Sequence, residues 1–153
     1  MSIIVLKDVQ IIFKPSSTSV TAYDLSDHIR SITLSTSYDL FETTQITDTA
    51  KKRVPGLADN SVTFEFLQDF DSALTMEQVF NDYDSNTSPD TSWIGTIRWC
   101  EIKPKSSAVS VTNPKYAFEV TLSEWTPLNG EAGAISTVNV TWPIYGQIYK
   151  YTT

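Results

Sequence analysis

Val54-Pro-Gly-Leu-Ala-Asp-Asn-Ser-Val-Thr-Phe-Glu-Phe-Leu-Gln-Asp-Phe70 is the stretch whose reading decides the fold. Its second half alternates. Val62, Phe64 and Phe66 fall on one side of an extended chain and Ser61, Thr63, Glu65 and Leu67 on the other, because strand side chains have a period of two. Apolar, largely aromatic residues opposite a mostly polar face describe a half-buried strand, the usual component of an antiparallel sheet. The first half reads as turn chemistry: Pro55 fixes φ, Gly56 is free to take φ > 0, and Asp59-Asn60 can close local turns. Upstream, Asp39 to Arg53 is polar, ends in three consecutive basic residues and shows almost no apolar periodicity. The expectation is a long loop over 38–56 that runs into an abrupt, regular strand. A loop of that length inside a compact domain usually has work to do.

At 153 residues and 17.1 kDa, the chain suits a single domain, 1–153, long enough to bury one substantial core. A 41% hydrophobic and 19% charged composition excludes intrinsic disorder, and the abundance of Thr and Ser tilts the balance toward strands. The net charge of −7 and pI of about 4.5 oppose a surface that grips DNA or an anionic membrane, yet suit one past which a polyanion must travel. The single cysteine, Cys100, excludes an internal disulfide and a cysteine-rich zinc site, and reads as a small buried hydrophobe. Met1-Ser-Ile-Ile-Val-Leu-Lys7 lacks the basic start and long apolar core of a secretion signal, and no apolar run approaches a membrane span, so the chain is expected in the cytosol when made.

Other strands follow from the same alternation. Ile3 to Phe13 reads as one or two short strands, and Ile29 to Thr36 as a strand with Arg30, Ile32 and Leu34 on one face. Trp93 to Ile102 is a further strand. In Tyr116 to Thr126, Tyr116, Phe118, Val120 and Leu122 face the core, and Val138, Val140 and Trp142 do so in Ile135 to Pro143. Between Asp71 and Tyr83 the period changes: Leu74, Val79, Phe80 and Tyr83 recur at helical spacing, so 71–83 is the one expected α-helix. The whole is a mainly β chain, an antiparallel sandwich or barrel with one helix.

Chemistry is sparse. His28, the lone histidine, has no nucleophile signature around it and reads as a turn residue, so no catalytic residues are assigned. Asp69/Asp71 and Asp82/Asp84 are spaced like the opening of a calcium loop but lack its glycine and closing glutamate, so no metal site is assigned. No glycine-rich phosphate loop is present and no cofactor is expected. Lys51-Lys52-Arg53, the only basic run, fits an acidic surface on another copy better than nucleic acid. The four tryptophans read mainly as core, although their number also suits a sugar-binding platform. Four strands carry one kind of polar face: Ser31/Thr33/Ser35, Thr63/Glu65, Glu119/Thr121/Ser123 and Thr137/Asn139/Thr141. Each is either an ordinary solvated sheet face or a lining of hydroxyls and carboxylates that offers phosphate no cation.

Several blocks resemble the tail tube proteins of long-tailed bacteriophages. They are Asp24-Leu-Ser-Asp-His-Ile-Arg-Ser-Ile-Thr-Leu34, Glu42-Thr-Thr44, Asp48 to Asp59 and Ser61 to Asp69, then Asn113-Pro-Lys-Tyr116, Thr126-Pro-Leu128 and Val138 to Pro143. The likeness runs from about Leu25 to Pro143 and departs from the family pattern over Asp84 to Gly95. It implies hexameric rings of β-sandwich subunits whose sheets join into one inner barrel, stacked into a tube that conducts DNA during genome ejection without binding it specifically. It also implies a virion tail assembled in the host cytoplasm, tape measure and tail terminator proteins as partners, and no enzymatic or membrane role. On that resemblance the polar-face residues above, Glu65 and Glu119 included, face the lumen. The loop over Thr43 to Pro55 packs on the adjacent ring, often ordering only on assembly, with Lys51, Lys52, Arg53 and Pro55 at the contact. The 143–153 arm, with Tyr145, Tyr149 and Tyr151, packs on a neighbour. The competing readings are a carbohydrate-binding β-sandwich module and a related tail terminator or secretion-tube subunit.

Overall fold

A computed structural model describes residues 5–69, 80 and 93–153. Eight strands are formed there: β1 (Gln10–Lys14), β2 (Tyr23–Asp24), β3 (Ile29–Glu42), β4 (Arg53–Leu67), β5 (Ile97–Lys103), β6 (Lys115–Thr121), β7 (Thr137–Pro143) and β8 (Tyr149–Tyr151). A single 3-10 turn, Ser26–His28, precedes β3. They make two antiparallel sheets, one ordered β2-β1-β5-β6-β8 and one ordered β3-β4-β7. The sheets face each other as a sandwich and do not close into a barrel.

The alternating strand sits at the centre of the smaller sheet. Val62, Phe64 and Phe66 of β4 are fully buried and lie opposite Trp142, Val140 and Val138 of β7. Ile11 and Phe13 of β1, Cys100 and Ile102 of β5, and Phe118 and Val120 of β6 meet them from the larger sheet. The centre is aromatic. Phe13 sets its ring edge-on to Trp142 at 6.2 Å, and Phe80 packs against Phe13, Phe66 and Trp142 at 5.5–5.7 Å. Such edge-to-face pairs fill space while matching ring quadrupoles. Burial pushes the Cys100 thiol well up, and the neighbouring Glu101 charge adds to it. The expected helix over 71–83 lies outside the described residues apart from Phe80, as does 84–92.

The loop expected over 38–56 is strand at both ends and loop only over 43–52. β3 continues to Glu42 and β4 begins at Arg53, so the two form one long ribbon, paired from Ile29↔Phe66 to Glu42↔Arg53. The turn reading of Pro55-Gly56 and Asp59-Asn60 gives way to this pairing. From Arg53 to Asp59, β4 has no β7 beside it, and a proline without its N–H is tolerated on such an edge. Gly56 answers a different need: the ring of Phe41 lies where its Cβ would be, next to the register shift between Tyr38 and Leu40. Asn60 is buried, and its Nδ2 donates to the carbonyl of Gly146 at 2.9 Å, fixing the turn after β7. Asn113 is buried too. Its Nδ2 donates to the carbonyls of Lys105, Ser107 and Ala108, and its Oδ1 accepts from the Lys105 amide, closing the β5–β6 connection.

Phe64→Ala is expected to cost about 3–5 kcal/mol by removing a ring from the centre of this cluster, whereas Thr33→Ala on the outer face changes stability by less than about 0.5 kcal/mol. Urea unfolding followed by tryptophan fluorescence measures both.

Candidate functional site

Two outer sheet faces and one projecting ribbon carry the residues singled out by sequence. On the outer face of the three-stranded sheet, register places Thr33, Thr63 and Thr141 in one row and Ser31, Glu65 and Asn139 in the next. Ser35 and Thr137 extend the same face. Thr63 and Thr141 share a hydrogen bond at 3.0 Å. The face is not free of cations: the register shift between Ile29 and Ser31 turns Arg30 away from Ile32 and Leu34, and its guanidinium comes to 3.9 Å from Glu65. Glu119 and Thr121 lie elsewhere. They belong to β6, on the outer face of the five-stranded sheet, and Ser123 follows the end of that strand. The two outer faces of a sandwich point in opposite directions, so Glu119 and Thr121 do not share a face with Glu65.

The outer face of the larger sheet is organised around Glu101. Its carboxylate accepts from Trp99 Nε1 at 2.9 Å and Lys14 Nζ at 3.2 Å, and Lys115 Nζ lies 3.6 Å away. Burial pushes its pKa up, but the indole hydrogen bond and the two ammonium groups outweigh that and hold it below the usual range. Tyr149 packs its ring near Trp99 at 6.1 Å, and Lys115 stands over the ring of Tyr151 at 5.0 Å. The 143–153 arm therefore returns to its own chain, where β8 pairs with β6 through Lys115↔Tyr151 and Ala117↔Tyr149.

The ribbon end is tied by its own contacts. Thr43 N–H donates to the Lys52 carbonyl and the Lys52 N–H to Thr44 Oγ1, both at 2.9 Å. Lys51 and Lys52 lie in the connection and pair with Glu42 and Asp48, while Arg53 and Pro55 are in β4. The Asp48 carboxylate sits below the usual range because the Gln45 amide and then Lys52 bond it. What the polarity of this segment conceals is its apolar surface. Tyr38, Leu40, Phe41 and Leu57 are 57%, 64%, 58% and 84% exposed. Tyr38 and Leu40 continue, two residues at a time, the alternation of Ile32 and Leu34, and that continuation is the signal the sequence carries.

The remaining candidates give no reaction centre. His28 Nε2 lies 3.5 Å from Asp69 at the 3-10 turn. Among the described residues no group of three His, Cys, Asp or Glu could hold a metal ion, and no helix is long and apolar enough to cross a membrane. Asp24, at the same turn, is pushed up by burial, yet its bonds from Ser26 and Gln10 and the charge of Lys103 keep it low.

No family model and no curated protein matches the chain. Among solved structures, the fold is similar to that of a chain in the cryo-EM structure of the anti-feeding prophage baseplate, 6-fold symmetrised. The TM-score is 0.54 at 13% identity, with 99% of this chain and 98% of that chain covered. At that identity the likeness is one of fold.

A lowered carboxylate pKa stabilises the folded state above the unfolded value, 4.5 for Glu101, and that stability is lost as pH falls through the folded value. Glu101→Gln should therefore melt below the wild type at pH 7, and the gap should close as pH drops below 4.5. Thermal scans of both proteins across that range measure it.

Proposed function

We propose that this chain is a structural subunit of a phage-tail-like assembly and, within that class, a tail tube subunit whose hexameric rings stack around a channel. The likeness of fold to a chain of a prophage baseplate supports the class. The observation that carries the finer reading is the β3–β4 ribbon, which projects large apolar side chains that its own chain does not cover. Monomeric proteins rarely expose such a surface, and assembly removes it.

The side turned to the channel in this reading is the outer face of the three-stranded sheet: Ser31, Thr33, Ser35, Thr63, Glu65, Thr137, Asn139 and Thr141. Short hydroxyls with one carboxylate, its charge partly answered by Arg30, give a passing phosphate backbone little to hold. Glu119 and Thr121 face away from that channel, and Ser123 lies past the end of β6. The ribbon end, with Lys51, Lys52, Arg53 and Pro55, reaches the adjacent ring. The chain then has no enzymatic role. It works in the tail of a virion after assembly in the host cytoplasm, with tape measure and terminator proteins as partners. The same fold also suits a tail terminator, a secretion-tube subunit or a baseplate subunit.

A sugar-binding module is less well supported, because Trp93, Trp99 and Trp142 are at most 8% exposed and offer no open stacking surface. Electron microscopy of the concentrated protein decides between these readings: rings or tubes are expected, and a dispersed monomer that binds oligosaccharide contradicts the proposal. Replacing Lys51, Lys52 and Arg53 by Glu should leave the fold intact by circular dichroism and stop stacking. Tubes of normal length from that variant would count against the ribbon's role.

A further inference from the structure

The three-stranded sheet has two edges of different character. At β7, Thr141 donates its N–H to the carboxylate of Glu124 at 2.9 Å, and the Thr137 carbonyl accepts from Asn129 Nδ2 at 2.8 Å. That edge is covered by side chains of its own chain, a common way to stop a sheet from growing. At β3 no other described strand pairs with the outer edge. The Ile144 amide donates to Asn60, which sets the hydrogen-bonding parity of β4, and through the β3–β4 register turns the N–H and C=O of Ile32, Leu34 and Thr36 outward.

Beside that open edge runs a groove. Ile32 and Leu34 form one wall, and Val9, Ile102, Tyr116 and Ile148 contribute to a hollow of about 530 Å³. It shares Leu6, Val9 and Ile32 with a second hollow of about 690 Å³, where Asp8, Asp24 and Asp27 stand with Lys7 and Arg30. The groove is thus apolar at its Thr36 end and charged at its Ile29 end, where three carboxylates outnumber two cations, over roughly 23 Å of strand.

We propose that this groove is the acceptor site for the β3–β4 ribbon of a second copy, whose strand edge adds to β3. The ribbon has the matching order: Tyr38, Leu40, Phe41 and Leu57 along its shaft, then Lys51, Lys52 and Arg53 at its end. Its paired length, from Ser37↔Asp59 to Glu42↔Arg53, is about 17–20 Å at strand rise, close to that of the groove. Lys51 and Lys52 already have acidic partners within the ribbon, so apolar burial and strand addition carry the contact and the remaining charge sets its direction. The groove lies along Ile29 to Thr36 and the ribbon begins just beyond, so one copy cannot fill its own groove by the same contact. The contact is heterologous: a docked copy offers a free ribbon at one end and a free groove at the other.

This inference rests on the assembly reading above and names the surface that receives the ribbon. Two exposed positions test it without disturbing the core, Leu40 on the ribbon and Leu6 at the groove, 64% and 55% exposed. In sedimentation velocity, Leu40→Asp alone and Leu6→Asp alone should each stop at the same small unit. An equimolar mixture should give a species of twice that mass and no longer chain, because one functional ribbon then meets one functional groove. Asp8→Lys with Asp27→Lys should in turn restore growth to the chain carrying Glu at 51, 52 and 53. Wild-type growth by either single variant, or no doubling in the mixture, overturns the groove assignment and leaves the assembly reading standing. A wild-type chain that stays monomeric overturns both.

Discussion

A mismatch of length governs this molecule. β3 and β4 are 14 and 15 residues long, whereas β5 and β6, which face them across the core, have seven residues each. A sandwich buries only the overlap of its two sheets, so the root of the β3–β4 hairpin is covered by Phe13, Cys100 and Phe118, while among the described residues its outer half has no second layer. The alternation of Ile32 and Leu34, paired at the root with Phe64 and Val62, persists outward as Tyr38 and Leu40. A side chain suited to a core is left without one.

The rest of the fold limits the answers. The β7 edge is bridged by Glu124 and Asn129, and the edge at β8 is short, with Tyr149 and Tyr151 engaged by Trp99 and Lys115. The buried Asn60 and Asn113 pin the connections that hold those edges closed. Among the described residues, only β3 combines an open backbone with an adjacent apolar groove. One long edge left open beside blunted ones is the feature on which the proposed direction of growth rests.

Much of this architecture is legible in the order of the residues. The strict alternation of Val62, Phe64 and Phe66, of Phe118, Val120 and Leu122, and of Val138, Val140 and Trp142 identifies core strands, because period two survives wherever one face is buried. The ribbon escapes such a reading for a physical reason. Pro55, Gly56, Asp59 and Asn60 favour turns in isolation, and only the pairing with β3, distant along the chain, overrides that local preference. The polar faces can be recognised strand by strand, but alternation says which residues share a face of one strand and not which strands share a sheet. Glu119 therefore groups with Glu65 by pattern, although the core lies between them. The Glu101 cluster has no sequence signal, since Lys14, Trp99 and Lys115 meet it only through the β1-β5-β6 register.

Amide hydrogen exchange as a function of protein concentration tests the central claim most directly. The amides of Ile32, Leu34 and Thr36, together with those on the free edge of the ribbon at 38–41 and 54–58, should exchange rapidly in dilute protein and slow together as the chain assembles. Exchange at those positions that stays the same from dilute to concentrated protein would contradict the account.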